Sequence, residues 1–209
     1  MARTLRIGTR KSPLAIKQVD EAITSLKRIY PDIEVDVIPI DTYGDGDKDT
    51  PISDIEGTDF FTRELDQALL KGEIDFAIHS AKDLPDRLAQ GLELEFTTES
   101  IDPYDCLVSK SGLKLDELPQ GAKIGTSSLR RKTQLKKYRN DFEIIDIRGN
   151  IGERLEKLDN SDLDAIVIAT AGLIRLGLEH RMTQKIPFRI LRPHPLQGSL
   201  TVVRKSVKV

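Results

Sequence analysis

Residues 122–158 read AKIGTSSLRRKTQLKKYRNDFEIIDIRGNIGERLEKL, and they concentrate the residue types best suited to gripping anions. The pattern is strand, turn, helix, given twice. In the first turn Thr126, Ser127 and Ser128 follow Gly125 and precede Arg130 and Arg131; in the second, Arg148, Gly149 and Asn150 precede Arg154. A helix N-terminus offers unpaired N–H groups and the positive end of a dipole. Hydroxyls add donors, and guanidinium adds a planar fork matched to carboxylate or phosphate. Either turn alone is equally well explained by ordinary N-capping and a solvated basic face. The two together favour a pocket for a ligand carrying several negative groups.

The whole chain bounds what such a pocket serves. Its 209 residues suit one large or two small domains, at roughly 100–200 residues each. A hydrophobic content of 38% against 32% charged, without low-complexity runs, describes a soluble globular protein with a core. The net charge of −2 argues against a general nucleic-acid binder. No apolar run approaches the roughly 20 residues of a membrane span, and MARTLRIGTR leads straight into a strand pattern without a secretory core. With Cys106 alone there is no disulfide framework, so a cytoplasmic location is expected. His79, His180 and His194 lack metal-ligand spacing, and no metal site is expected.

The elements that must carry these residues follow in order. A strand over 5–9 leads to a helix capped by Ser12, with Pro13 at its first position and Pro31 beyond its end. Residues 33–40 alternate as a strand. Residues 41–60 are acidic and hold one lysine; without EF-hand spacing they read as a solvated, mobile loop rather than a Ca²⁺ site. A helix over 61–71 stops at Gly72, and strands are expected at 75–79, 92–98, 105–109 and 165–169. A helix over 171–178 follows, and an apolar strand lies near the C-terminus.

Strands alternating with helices predict an α/β fold with parallel sheets. Ile7-Gly8-Thr9-Arg10 is echoed by Ile124-Gly125-Thr126-Ser127, each before a helix, which suggests two similar lobes. In open α/β sheets ligands bind beyond the carboxyl ends of the strands. Arg10, Lys11, Lys82, Asp83 and the cations of 126–154 all follow predicted strands, so two lobes would aim them into a shared cleft. Asp83 is the acid nearest that cleft; facing cations, it suits stabilising a positive intermediate, though a helix cap or structural ion pair explains it equally. The residues by themselves reach an α/β protein for a polycarboxylate or phosphate ligand.

The same stretches resemble the porphobilinogen deaminase (hydroxymethylbilane synthase) family: LRIGTRKSPLAIKQ, IDFAIHSAKDLP, IGTSSLRRKTQL, DIRGNIGERLEKL, DAIVIATAGLIRLGL and HPLQGSL, in order from Leu5 to about Leu200. The resemblance implies two lobes like those of type II periplasmic binding proteins, each a mixed, mostly parallel sheet flanked by helices. The first lobe would take residues 1–98 plus 195–209 and the second 99–194. It implies a transferase of tetrapyrrole (heme) biosynthesis that condenses four porphobilinogen molecules into a linear tetrapyrrole with loss of ammonia.

Carried over by matching position, Arg10, Ser12, Lys82, Thr126, Ser127, Ser128, Arg130, Arg131, Arg148 and Arg154 hold pyrrole acetates and propionates, with Gln18 and Gln197 as further positions. Asp83 matches the family's catalytic aspartate, whose implied role is to bond pyrrole N–H groups and stabilise the cation left by ammonia. Three departures matter. The family's third domain, whose cysteine carries a covalent dipyrromethane, is expected to be absent, and Cys106 does not match that cysteine. The lid reads Glu56-Gly57-Thr58-Asp59, and the family's P-A-V-G-Q-G is here Pro193-His194-Pro195-Leu196-Gln197-Gly198. The expected cofactor is therefore dipyrromethane or a similar oligopyrrole held non-covalently, the expected partners are porphobilinogen, oligopyrroles and a separate chain supplying the missing domain, and neither nucleic acid nor membrane. A non-catalytic binder of pyrrole carboxylates and a split fragment are the alternatives.

Overall fold

The computed structural model describes residues 3–47 and 58–207. These divide into two compact units, one of residues 3–47, 58–100 and 199–207, the other of residues 101–198. The chain thus returns to the first unit at Ser199, four residues later than the expected 195. Among the described residues no helix is long and apolar enough to cross a membrane.

In the first unit β1 (Arg3–Arg10), β2 (Ile33–Ile40), β3 (Phe76–Ser80), β4 (Leu92–Thr97) and β10 (Leu200–Lys205) form one sheet in the order β2-β1-β3-β10-β4. β1 runs parallel to β2 and β3, while β10 is antiparallel to both its neighbours. Pro39 is tolerated because β2 is an edge strand, where a missing N–H costs no ladder bond. Side chains alternate across the sheet. Phe76, Ile78, Leu200 and Val202 face Val19, Ala22 and Leu26 of α1 (Pro13–Ile29), and Ala77 and Val203 face Leu65, Ala68 and Leu69 of α3 (Arg63–Lys71).

The second unit repeats the plan with β5 (Asp105–Ser109), β6 (Lys123–Gly125), β7 (Glu143–Ile145), β8 (Ala165–Ala169) and β9 (Gln184–Lys185), ordered β7-β6-β8-β5-β9. β8 is parallel to β6 as its composition suggests, but antiparallel to β5. Leu107, Ala165 and Val167 pack with Leu135 of α4 (Leu129–Tyr138). Cys106, Val108, Ile166 and Ile168 pack with Leu155 and Leu158 of α5 (Ile151–Asn160) and Leu173 of α6 (Thr170–Leu176). Cys106 is fully buried, and burial pushes its thiol up to about 11, in keeping with the apolar role read from its strand.

The echo of Gly8 and Gly125 has a packing cause. A Cβ on Gly8 would lie 2.3 Å from Ile74 Cδ1, and one on Gly125 2.9 Å from Ile166 Cγ2. At each position a side chain would have to displace neighbouring isoleucine and leucine side chains. The expected acidic loop departs from its reading at 41–47: Tyr43–Gly46 form one helical turn, α2, whose Asp45 is paired inward. Lys48 to Gly57, with the lid residues Glu56 and Gly57, lie outside the described residues.

His79, on β3 opposite Thr201, is buried and its Nε2 has no hydrogen-bond partner. Burial, helped by the Arg10 charge, holds the ring neutral down to about 4.

Two predictions follow from this packing. Gly8→Ala should destabilise by about 1–3 kcal/mol, since overpacking must displace Ile74 and Leu65. Gly46→Ala, with nothing within 4 Å, should stay within about 0.5 kcal/mol of the parent in urea unfolding; equal effects would contradict the close-approach argument. The second concerns pH. Below 6.5 the unfolded chain takes up a proton on His79 that the folded chain refuses down to about 4. Stability present above pH 6.5 is therefore lost as pH falls toward 4, by roughly 3 kcal/mol at the lower end. His79→Phe should shrink the difference between urea midpoints at pH 7 and 4.5, and an unchanged difference would exclude His79 as its source.

Candidate functional site

In the first unit the site residues gather at the carboxyl ends of β1 and β3. Arg10 closes β1, and Ser12 caps α1, its Oγ accepting from Ala15 N at 3.2 Å with Pro13 next in line. Gln18, one turn into α1 and buried, donates to Ser80 Oγ at 2.8 Å and so ties the helix to the end of β3. The chain then makes a 3₁₀ turn over Ala81–Asp83 that leaves Lys82 half-buried and Asp83 exposed. Arg10 is held from two sides. Its guanidinium stacks 4.4 Å from the Phe61 ring centre and forks onto Asp45, with Nε to Oδ2 at 3.1 Å and Nη2 bonded to Oδ1. Burial alone would raise the Asp45 carboxyl, but Arg10 and the Thr42 hydroxyl, donating at 2.7 Å, more than offset it and hold it below the usual carboxylate range. Lys11 pairs with Asp41 at 2.5 Å.

In the second unit the site lies on the turns after β6 and β7. Thr126 and Ser127 are buried. Ser127 stitches the two turns together: its Oγ donates to Ile147 O at 2.8 Å and accepts from Ile147 N at 2.9 Å. Thr126 Oγ1 is buried without a partner, and Ser128, the N-cap of α4, makes no side-chain capping bond. Two hydroxyls at one helix N-terminus are thus not consumed by capping, contrary to the ordinary-capping explanation. The second turn is capped conventionally, with Asn150 and Glu153 bonding each other's backbone N–H groups. Gly149 there has φ +111°, a conformation that a side chain would strain. Arg154 Nε reaches back to Gly149 O at 2.7 Å, and Arg148 is half-buried beside it.

The arginines after β6 converge on Asp105, which the sequence marks only as the first residue of a strand. Arg131, buried, donates to Asp105 Oδ1 from Nε at 3.1 Å and Nη2 at 2.7 Å, and to Val167 O from Nη1 at 3.1 Å. Arg130 donates from Nη2 to Asp105 Oδ2 at 2.7 Å and from Nη1 to Arg192 O. Gln197, fully buried, donates to Asp105 Oδ1 at 3.0 Å and Pro103 O at 2.8 Å. Burial pushes the Asp105 carboxyl up, yet the charges and hydrogen bonds of the two arginines prevail and hold it below its ordinary value. Asp45 and Asp105, both missed in the sequence, set the orientation of three of the predicted cations.

Taken unit by unit, this chemistry suits binding of carboxylates by oriented guanidinium, ammonium and hydroxyl donors. Among the described residues no cluster of three His, Cys, Asp or Glu side chains is arranged for a metal.

Among solved structures, a putative lipoprotein from Actinomyces odontolyticus (TM-score 0.55, 16% identity, 100% of this chain and 85% of that one), the methionine binding protein MetQ (0.54, 15%, 97% and 83%) and the OxyR2 regulatory domain from Vibrio vulnificus (0.53, 16%, 100% and 88%) share the fold. Porphobilinogen deaminases from Natranaerobius thermophilus and Xanthomonas campestris pv. campestris are both 48% identical, over 94% and 95% of this chain. The chain spans 63% and 66% of their lengths. The profile described as "Porphobilinogen deaminase, dipyromethane cofactor binding domain" matches residues 5–208. The chain belongs to the porphobilinogen deaminase family.

Proposed function

We propose that this chain binds porphobilinogen and short oligopyrroles through their acetate and propionate groups, and that Asp83 serves the deaminating condensation of porphobilinogen. The observation that carries the reading is the turn after β6, where the buried Thr126 hydroxyl lacks a partner and the Ser128 hydroxyl does not cap, beside Arg130. Donors kept out of internal bonds at a helix N-terminus suit incoming carboxylates. Ser127, by contrast, is spent on the Ile147 backbone and acts as a brace. Arg148 and Arg154 in the second unit, and Arg10, Ser12 and Lys82 in the first, extend the set of carboxylate donors; Gln18 and Gln197 steady it from within.

The residues present fit an oligopyrrole primer, which when bound supplies the nucleophilic pyrrole carbon onto which units are added. Within this chain the primer is held without a covalent bond. The sole cysteine is fully buried in β5, with its thiol pushed up to about 11, and neither its access nor its ionisation suits thioether formation. Asp83, exposed in the turn after β3, would accept a pyrrole N–H and stabilise the positive charge that develops as ammonia departs with the C–N electron pair.

Asp83→Ala should abolish ammonia release from porphobilinogen, a loss of about 10²-fold or more, while leaving urea unfolding within about 0.5 kcal/mol, as expected for an exposed residue. Unchanged release would remove Asp83 from the mechanism. Ammonia release absent from the parent as well, alongside measurable porphobilinogen binding, would instead favour the purely binding role.

A further inference from the structure

Asp105 is fully buried at the start of β5, and its two oxygens are divided between partners. Oδ1 takes three donors: Nε and Nη2 of Arg131 and Nε2 of Gln197. Oδ2 takes one, Nη2 of Arg130 at 2.7 Å. The Arg130 fork is fixed from its other end by the Arg192 carbonyl, and Arg192 is itself clamped by Gln134, whose Oε1 accepts from Arg192 N at 2.7 Å and whose Nε2 donates to Arg192 O at 3.1 Å. Arg131 has three of its N–H groups committed inside the unit and is buried, whereas the Arg130 side chain remains 23% exposed. The pair that looks equivalent in sequence is therefore asymmetric: one arginine braces, the other is presented.

We propose that Asp105 is a positioning residue for pyrrole-carboxylate binding, acting through Arg130; the inference rests on the function proposed above and adds a residue to it. A guanidinium whose plane is fixed in advance loses less entropy when its remaining N–H groups meet a carboxylate. Asp105 does not touch the ligand in this account; it sets the plane of the group that does.

The geometry supplies a selective test. In Asp105→Asn the amide oxygen will take the side with three donors, facing Arg131 and Gln197, which turns the amide N–H₂ toward Arg130 Nη2, donor against donor. Porphobilinogen affinity, measured by calorimetry on the whole chain, should fall about tenfold or more, the scale of one charge-assisted hydrogen bond. In an Arg130→Ala background the same change should alter affinity by less than about twofold, because coupled residues are non-additive. A merely structural role would weaken binding equally in both backgrounds, and that result, or no weakening in the parent, overturns the proposal. Should Asp105→Asn fail to fold, Asp105→Glu, which keeps the charge and displaces the carboxylate from Arg130 by one methylene, becomes the variant, with the same expectation in the two backgrounds.

A second readout needs no ligand. The Arg130 Nη2–H NMR signal should be protected from exchange in the parent and lose that protection in Asp105→Asn, while the Arg131 Nε–Hε signal stays protected. If the parent binds no porphobilinogen, the proposed function fails. Loss of Arg130 protection would still support Asp105 as the organiser, and unchanged protection would overturn that too.

Discussion

A carboxylate with no solvent contact holds the start of β5 and the start of α4 together. Desolvating Asp105 is costly, and what offsets it is the pair of guanidinium groups brought by α4 and the amide of Gln197. Removing one member of such a cluster costs about 3–5 kcal/mol, because the remaining charge is left buried and unpaired. The constraint runs both ways. β5 must begin at Asp105, and the first turn of α4 must lie over the strand end. The turn from β6 into α4, 126–128, is thereby fixed with its hydroxyls at the helix N-terminus.

The first unit solves the same problem at lower burial. Arg10, at the end of β1, is steadied by a half-exposed acid and an aromatic face instead of a sealed carboxylate. Both units use the same strand–glycine–helix frame and the same strand order, with a reversed strand in the fourth position. In each, a glycine lets the neighbouring side chains close over the strand. A shared frame with different anchors accounts for two sets of cations at equivalent places with unequal rigidity.

Much of this was legible in the sequence because it is local. Ser12 and Pro13 mark the start of α1, and the apolar runs at 105–109 and 165–169 mark β5 and β8 with the observed bounds. The helix expected from Phe61 begins at Arg63, since Phe60 and Phe61 are drawn into edge-on aromatic contact beside Tyr43. Asp105 was not legible as an anchor, because its partners are 25, 26 and 92 residues away and an acid at a strand start looks like a solvated boundary. Asp45 was hidden for the same reason inside an acidic stretch whose composition suggests only solvation. Spacing shows which cations are present, and the fold shows which are already committed.

The central proposal is that this chain holds oligopyrrole by its carboxylates and without a bond to Cys106. Mass spectrometry after incubation with porphobilinogen, sprayed once under native and once under denaturing conditions, tests it most directly. The account predicts added pyrrole mass in the native spectrum that disappears on denaturation. Added mass that survives denaturation, or none in either spectrum, would contradict it.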